Sequence, residues 1–169
     1  RYTMDIAAQV PHGALRFAVM GERGTRNEDA TEADLAEMRR LVAEAAAACA
    51  VGFSTSRTVY HRSIAGEAVP GTFASEHELS ELVQGMMDGG GGVFEAITSS
   101  SAGAMRALGG ERFTQEQELT MLAGISARTG AAVTFTTVQT KDYRDGWRDV
   151  LRFAAEQNAL GCRLFPQVT

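Results

Sequence analysis

The sequence predicts an α/β chain of about five parallel strands and four helices, and three observations carry that reading. Apolar residues recur at helical spacing in four stretches, capping residues or glycines mark the ends of those stretches, and a short apolar run follows each. Those runs begin near residues 51, 92, 132 and 162, with a weaker one near 4. Parallel strands joined by helices of this length must cross over right-handedly.

The first run, "MDIAAQV", alternates weakly and reads as a strand ending at Pro11 and His12. Thr31 in "TEAD" is an N-cap with acids in the first turn, and Leu35, Met38, Leu41, Val42 and Ala45 give the buried stripe of a helix reaching about Cys49. "VGFSTS" (51–56) follows as a buried strand with a hydroxyl-rich end. Ser75 and Glu78 form a capping box, Leu79, Leu82, Val83 and Met86 the stripe, "DGGGG" the stop and "VFEAI" the next strand. Thr114 and Gln117 open a third helix through Leu119, Leu122 and Ile125, which breaks at Gly130 before "AAVTFTTV". Tyr143, Trp147, Val150, Leu151 and Ala154 mark a fourth, Gly161 ends it, and "CRLFP" is the last strand.

This spacing suits a doubly wound sheet or a barrel. No Gly-x-Gly-x-x-Gly follows an early strand and there is no P-loop. A closed barrel takes about eight strands in ~250 residues, so five make only part of one.

Composition narrows the classes. The 169 residues are 44% hydrophobic and 22% charged, as in soluble globular proteins. "AAAACAV" (45–51), the longest apolar stretch, is far short of the ~20 residues that span a bilayer. The net charge is -5 and the 16 Lys and Arg are scattered, so nucleic acid is not an expected partner. Cys49 and Cys162 stand far apart, which points to a reducing compartment and a cytoplasmic location. The chain starts at Arg1 without the layout of a secretory signal, so its start reads as internal to a longer protein.

The segments "PHGALRFAVMG" (11–21), "AVGFSTS" (50–56), "VPGTFASEHEL" (69–79) and "GGVFEAI" (91–97) occur in a fixed order. Together they resemble amidohydrolase family 3, which contains D-aminoacylase and the N-acyl-D-amino-acid deacylases. The resemblance implies a partial TIM-type (β/α)8 barrel. Residues 1–169 would be its central portion, about strands three to seven, with the N- and C-terminal parts missing. It implies hydrolysis of the C–N amide bond of an N-acyl amino acid or related amide, with a small-molecule substrate, in the full-length protein. This segment alone would lack much of the active site, and it would self-associate or pair with the missing strands.

The family's metal histidines sit at strand tips. Laid on its motifs, this sequence has Ile97 and Thr137 at two of those positions, and no histidine follows His77. A hydrolytic zinc site needs about three nitrogen, sulfur or carboxylate ligands and an open water position. Zinc is therefore expected in the full-length protein, if at all, with none bound to this segment. The competing reading is a barrel of the same ancestry that binds a small carboxylated ligand or works without metal.

Barrel catalysis uses the carboxyl ends of strands and the loops beyond. That rule selects His12, after the first strand, against a structural role at a turn. It selects Ser54 and Ser56 at the second strand's end, against backbone satisfaction. The long segment from Arg57 to Ala74 adds Arg57, Tyr60 and His61 as groups for an acidic substrate, against ordinary solvated side chains. Alternation in "VFEAIT" puts Val93, Glu95 and Ile97 on one face, and if Ile97 takes the ligand position that the resemblance implies, Glu95 points into the barrel too, as general base, metal ligand or ion-pair partner. The same alternation puts Val133, Phe135, Thr137 and Gln139 on one face, with Lys141 in the loop above. Glu95 and His12 are thus the catalytic candidates, and Ser54, Ser56, Arg57, Tyr60, His61, Gln139 and Lys141 the substrate-binding ones.

Overall fold

Each strand of the sheet pairs in parallel with the strand that follows it in the chain, so order across the sheet is order along the sequence. In the computed structural model, which describes residues 3–99, 113–139 and 144–168, the strands are β1 (Gln9–Pro11), β2 (Gly52–Ser56), β3 (Val93–Ile97), β4 (Ala132–Thr137) and β5 (Leu164–Val168). The helices are α1 (His12–Met20), α2 (Glu22–Thr25), α3 (Glu32–Ala47), α4 (Glu76–Asp88), α5 (Gln115–Thr129) and α6 (Gly146–Ala159). A sheet whose order never reverses sends every right-handed crossover the same way, which keeps the helices on one face. A doubly wound sheet reverses at a switch point, and this one does not. The fold is a five-stranded arc of a TIM-type barrel.

Side-chain alternation separates the faces. Phe53, Thr55, Phe94, Ala96, Val133, Phe135 and Leu164 are buried on the helix side. Ser54, Ser56, Glu95, Ile97, Thr134 and Thr136 lie between them, half-buried on the concave side. Register aligns Ser54, Glu95, Thr134 and Phe165 in one row across that side. The helix-side core is dense: Phe53 stacks on Phe94 with ring centroids 5.7 Å apart, and Met38, Leu79, Leu82, Met86, Leu122 and Ile125 are fully buried over the sheet. Each such side chain contributes about 1.5–3 kcal/mol when fully removed from water.

The helix starts follow their caps. Thr31 with Asp34 and Thr114 with Gln117 make complete capping boxes. Ser75 Oγ accepts from Glu78 N at 3.2 Å, but the Glu78 carboxylate does not return to the cap. It turns into the core instead, for a reason given below. Between α4 and β3, Gly90, Gly91 and Gly92 have φ of 124°, 94° and 155°. Side-chain-bearing residues avoid that region, so the glycine run is what lets the chain leave the helix and enter the strand at once.

Several expectations need correction. Six helices, not four, occur among the described residues, because α1 and α2 were not anticipated. The buried residues of α1 are His12, Leu15, Arg16 and Met20. Their spacing is helical, but two of the four are polar, and a search for apolar periodicity passes over them. β1 is confined to three residues, leaving Met4 and Ile6 exposed. β5 starts at Leu164 rather than Cys162. In α6, Leu151 is 38% exposed, while Val150 and Ala154 are buried and Phe153 packs against the core. Tyr143 lies outside the described residues. Among the described residues no helix is long and apolar enough to cross a membrane.

Candidate functional site at the carboxyl rim

The carboxyl ends of β1, β2 and β3 border a cavity of about 270 Å³ into which Gln9, Ser54, Ser56, Glu95 and Ile97 face. Val69 and Pro70, from the segment after β2, close its outer side. That segment is fixed by backbone bonds from Val69 N to the His61 carbonyl (3.1 Å) and from His61 N to Thr58 (3.3 Å), and by an antiparallel bridge between Arg62 and Ala68. Asn27 ties it to α2: its amide donates to the Ala68 and Val69 carbonyls at 3.2 and 3.3 Å, and its Oδ1 accepts from Gly71 N at 2.8 Å. Gly71 has φ of 91°, and a Cβ there would stand 2.6 Å from His12 Nδ1. Glycine is required on both counts.

Glu95 sits on the concave face, as alternation predicts. Among the described residues its partner is neutral: Gln9 Nε2 donates to Oε2 at 2.9 Å. Gln9 was not anticipated, because nothing marks one amide in a short strand as a carboxylate partner. Ser54 is opposite Glu95 in register. Ser56 Oγ and His61 Nδ1 lie 2.7 Å apart. The sequence offered both as separate substrate-binding groups, and the fold brings them into contact across the start of the loop.

His12 lines the same cavity from the end of β1. It is 1% exposed, edge-on to Phe53 at 5.4 Å, with Nε2 2.8 Å from Glu78 Oε1 and Nδ1 2.9 Å from Thr55 Oγ1. A carboxylate only accepts, so Nε2 carries the proton, and in a neutral ring Nδ1 then accepts from the Thr55 hydroxyl. Burial holds the imidazole below its ordinary pKa, helped by the charges of Arg16 and Arg57 and opposed by Glu78. Both nitrogens are thus bonded, while the residue still lines the rim cavity beside Ser54, Ser56 and Glu95.

Arg16 explains the diverted cap. It is 2% exposed, and its Nη1 donates to Glu78 Oε2 at 2.6 Å. Burial alone would raise the Glu78 pKa, but the His12 hydrogen bond and charge and the Arg16 contacts outweigh it and leave the group lowered.

Arg57, expected as an exposed loop cation, is instead 2% exposed. Its Nε donates to Glu118 Oε1 at 2.8 Å, its Nη1 to the Ala74 carbonyl at 2.8 Å, and its guanidinium lies 4.6 Å from the Phe113 ring centre. It lines a larger cavity of about 420 Å³ beside the starts of α4 and α5. The buried charges of that cavity are already paired with each other, so the smaller rim cavity is the better site.

Gln139 lies beyond the end of β4 and donates from Nε2 to the Arg144 carbonyl at 3.1 Å, outside the rim cavity. Val133, Phe135 and Thr137 do share a face, but it is the helix side, and Thr136 takes the concave one. Tyr60 is partly exposed, and its N donates to Thr58 Oγ1 at 3.4 Å. Lys141 lies outside the described residues. Among the described residues no three His, Cys, Asp or Glu side chains converge as a metal site. Ile97 ends β3 on the concave face and Thr137 is turned from it, so the residues at these two tips do not fit a zinc centre.

The chain matches no family model and no curated protein sequence. It is similar in structure to the L-hydantoinase (dihydropyrimidinase) of Arthrobacter aurescens, with a TM-score of 0.50 and 17% identity. The match covers 94% of this chain and 36% of that one, so the chain spans about a third of its neighbour's length. At that identity the likeness is one of fold: a stretch of consecutive β/α units resembling part of that protein.

Proposed function

We propose that this chain is the central arc of an amidohydrolase-like enzyme that cleaves a C–N amide bond of a small molecule, an N-acyl amino acid or a related amide. The observation that carries the reading is Glu95. It is a carboxylate on the concave face, at the rim where barrels place their chemistry, held among the described residues by a neutral amide rather than by a cation. An ionised carboxylate has several lone-pair sites, so a partner on one oxygen leaves others to accept a substrate N–H and orient the scissile bond. Ser54 and Ser56 add hydroxyls beside it. Fold likeness to a protein named for hydantoins and dihydropyrimidines, rings that contain C–N amide bonds, supports the reaction class.

The free edges of β1 and β5 would join further strands of the same barrel, and any zinc would draw its ligands from those strands. The second reading, a barrel that works without metal, is favoured by Ile97 and Thr137 at the strand tips. Product release from N-acyl-D-amino acids and cyclic ureides by the full-length protein tests the proposal. Glu95→Gln is expected to lower turnover by at least about 100-fold. If no amide is turned over, or if the variant matches the parent, the proposal fails. A chelator then separates the readings: activity that survives it is metal-independent, and activity lost to it and restored by zinc is not.

A further inference from the structure

We infer that Ser56 and His61 form a nucleophile–base pair, so that the rim cavity accepts an acyl group covalently on Ser56. This rests on the amide-hydrolase reading and adds the identity of the attacking atom. A serine hydroxyl is a weak nucleophile unless a base takes its proton in the transition state, and the geometric signature is an imidazole nitrogen within about 2.6–3.2 Å. Ser56 Oγ and His61 Nδ1 are 2.7 Å apart.

Position separates this pair from a chance surface contact. Ser56 is the last residue of β2, on the concave face, and lines the same cavity as Glu95. His61 is exposed and held by backbone bonds on both sides of its peptide, its N to Thr58 and its carbonyl to Val69 N. The contact is solvent-exposed, and of its two residues Ser56 is the one that lines the cavity. His12, the histidine that the sequence favoured, cannot do this, because Glu78 and Thr55 occupy both its nitrogens.

The chemistry balances with water as the only co-reactant. With its proton on Nε2, His61 accepts the Ser56 proton at Nδ1 as the Oγ–C bond forms at the amide carbon. The C–N bond then breaks and the leaving nitrogen takes that proton, leaving an acyl-serine. Water, deprotonated in its turn by His61, attacks the ester carbon. The C–O bond to Ser56 breaks, Oγ recovers the proton, and a carboxylic acid departs. Nothing is oxidised or reduced.

A fluorophosphonate probe tests the pair without knowledge of the substrate, since attack by Oγ forms a Ser–O–P bond and expels fluoride. In the full-length protein, peptide mass mapping is expected to find the adduct on Ser56, and His61→Gln is expected to slow labelling by at least about 100-fold. His61 is exposed, so that variant should unfold at the parent's urea midpoint. Absence of label at Ser56, or equal labelling in His61→Gln, overturns the pair. Ser56→Ala that retains amide turnover also overturns it while leaving the amide-hydrolase reading intact. A parent that labels on Ser56 but turns over no amide sinks that reading and keeps the pair.

Discussion

Glu78 and Glu95 lie on opposite sides of one sheet. Glu78, on the helix side, meets Arg16 at 2.6 Å and His12 at 2.8 Å and is 3% exposed. Glu95, on the concave side, is half-buried and meets the neutral amide of Gln9. A carboxylate enclosed by a guanidinium and an imidazole has its lone pairs committed, and it serves to join α1 to α4. One held by an amide on one oxygen keeps lone-pair sites open to something that arrives. The helix side repeats its arrangement one unit along, where Arg57 after β2 reaches Glu118 in the first turn of α5. Each of these arginines therefore ties its own β/α unit to the helix of the next.

The largest expected effect breaks the helix-side pairs. Glu78→Ala strands Arg16 in the core, where its Nε already has no partner among the described residues. The loss should be about 3–5 kcal/mol in urea unfolding, with a similar loss for Glu118→Ala. Replacing Arg16 and Glu78 together by Met and Leu should recover most of it, because the cost lies in the orphaned charge. Glu95→Gln should do the reverse: unfolding changes by less than about 1 kcal/mol, while turnover falls at least about 100-fold. A Glu95→Gln protein as destabilised as Glu78→Ala would erase the distinction between the two faces.

Acid sharpens the same comparison. His12 is lowered in the fold chiefly by burial, and Glu78 is lowered by the contacts that outweigh its burial. For both groups the unfolded chain binds more protons, so stability rises with pH through both titrations. The His12 contribution is complete above the unfolded value of about 6.5 and is lost as pH falls below it. The Glu78 contribution is complete above about 4.3 and is lost as pH falls through its lower folded value. The urea midpoint should fall from pH 7 to 5 and again below 4, at up to about 1.4 kcal/mol per pH unit for one proton. His12→Asn should flatten the upper part and, by removing one of the contacts that lower Glu78, weaken the lower part as well.

How far the sequence disclosed this follows from what each residue responds to. β2, β3, α3, α4 and α5 were legible because caps, glycine stops and apolar stripes act locally. Glu95 was legible because alternation puts it on the face of Ile97, which the resemblance turns inward. α1 was not, since its inward stripe includes His12 and Arg16, and only a carboxylate four elements along the chain makes their burial tolerable. Arg57 was misread as a loop cation for the same reason, with its partner 61 residues along the chain. The contact of Ser56 with His61 depended on a turn conformation that sequence spacing does not specify.

The smallest expected effect comes from a third carboxylate, Glu81, one turn beyond Glu78 on α4. Its oxygen lies 2.6 Å from Arg39 Nη1, a distance equal to that between Arg16 Nη1 and Glu78 Oε2. Distance therefore cannot separate the two pairs, and solvent does. The Arg39 and Glu81 side chains are 38% and 34% exposed, against 2% and 4% for Arg16 and Glu78. Water screens the outer charges and rehydrates whichever is left alone, so Glu81→Gln should cost less than about 1 kcal/mol. At about 1 M salt, where screening reaches ~3 Å, even that difference should vanish, while the loss from Glu78→Ala persists. If Glu81→Gln matched Glu78→Ala in urea, pairing rather than burial would set the cost, and the contrast between the two faces would lose its physical basis.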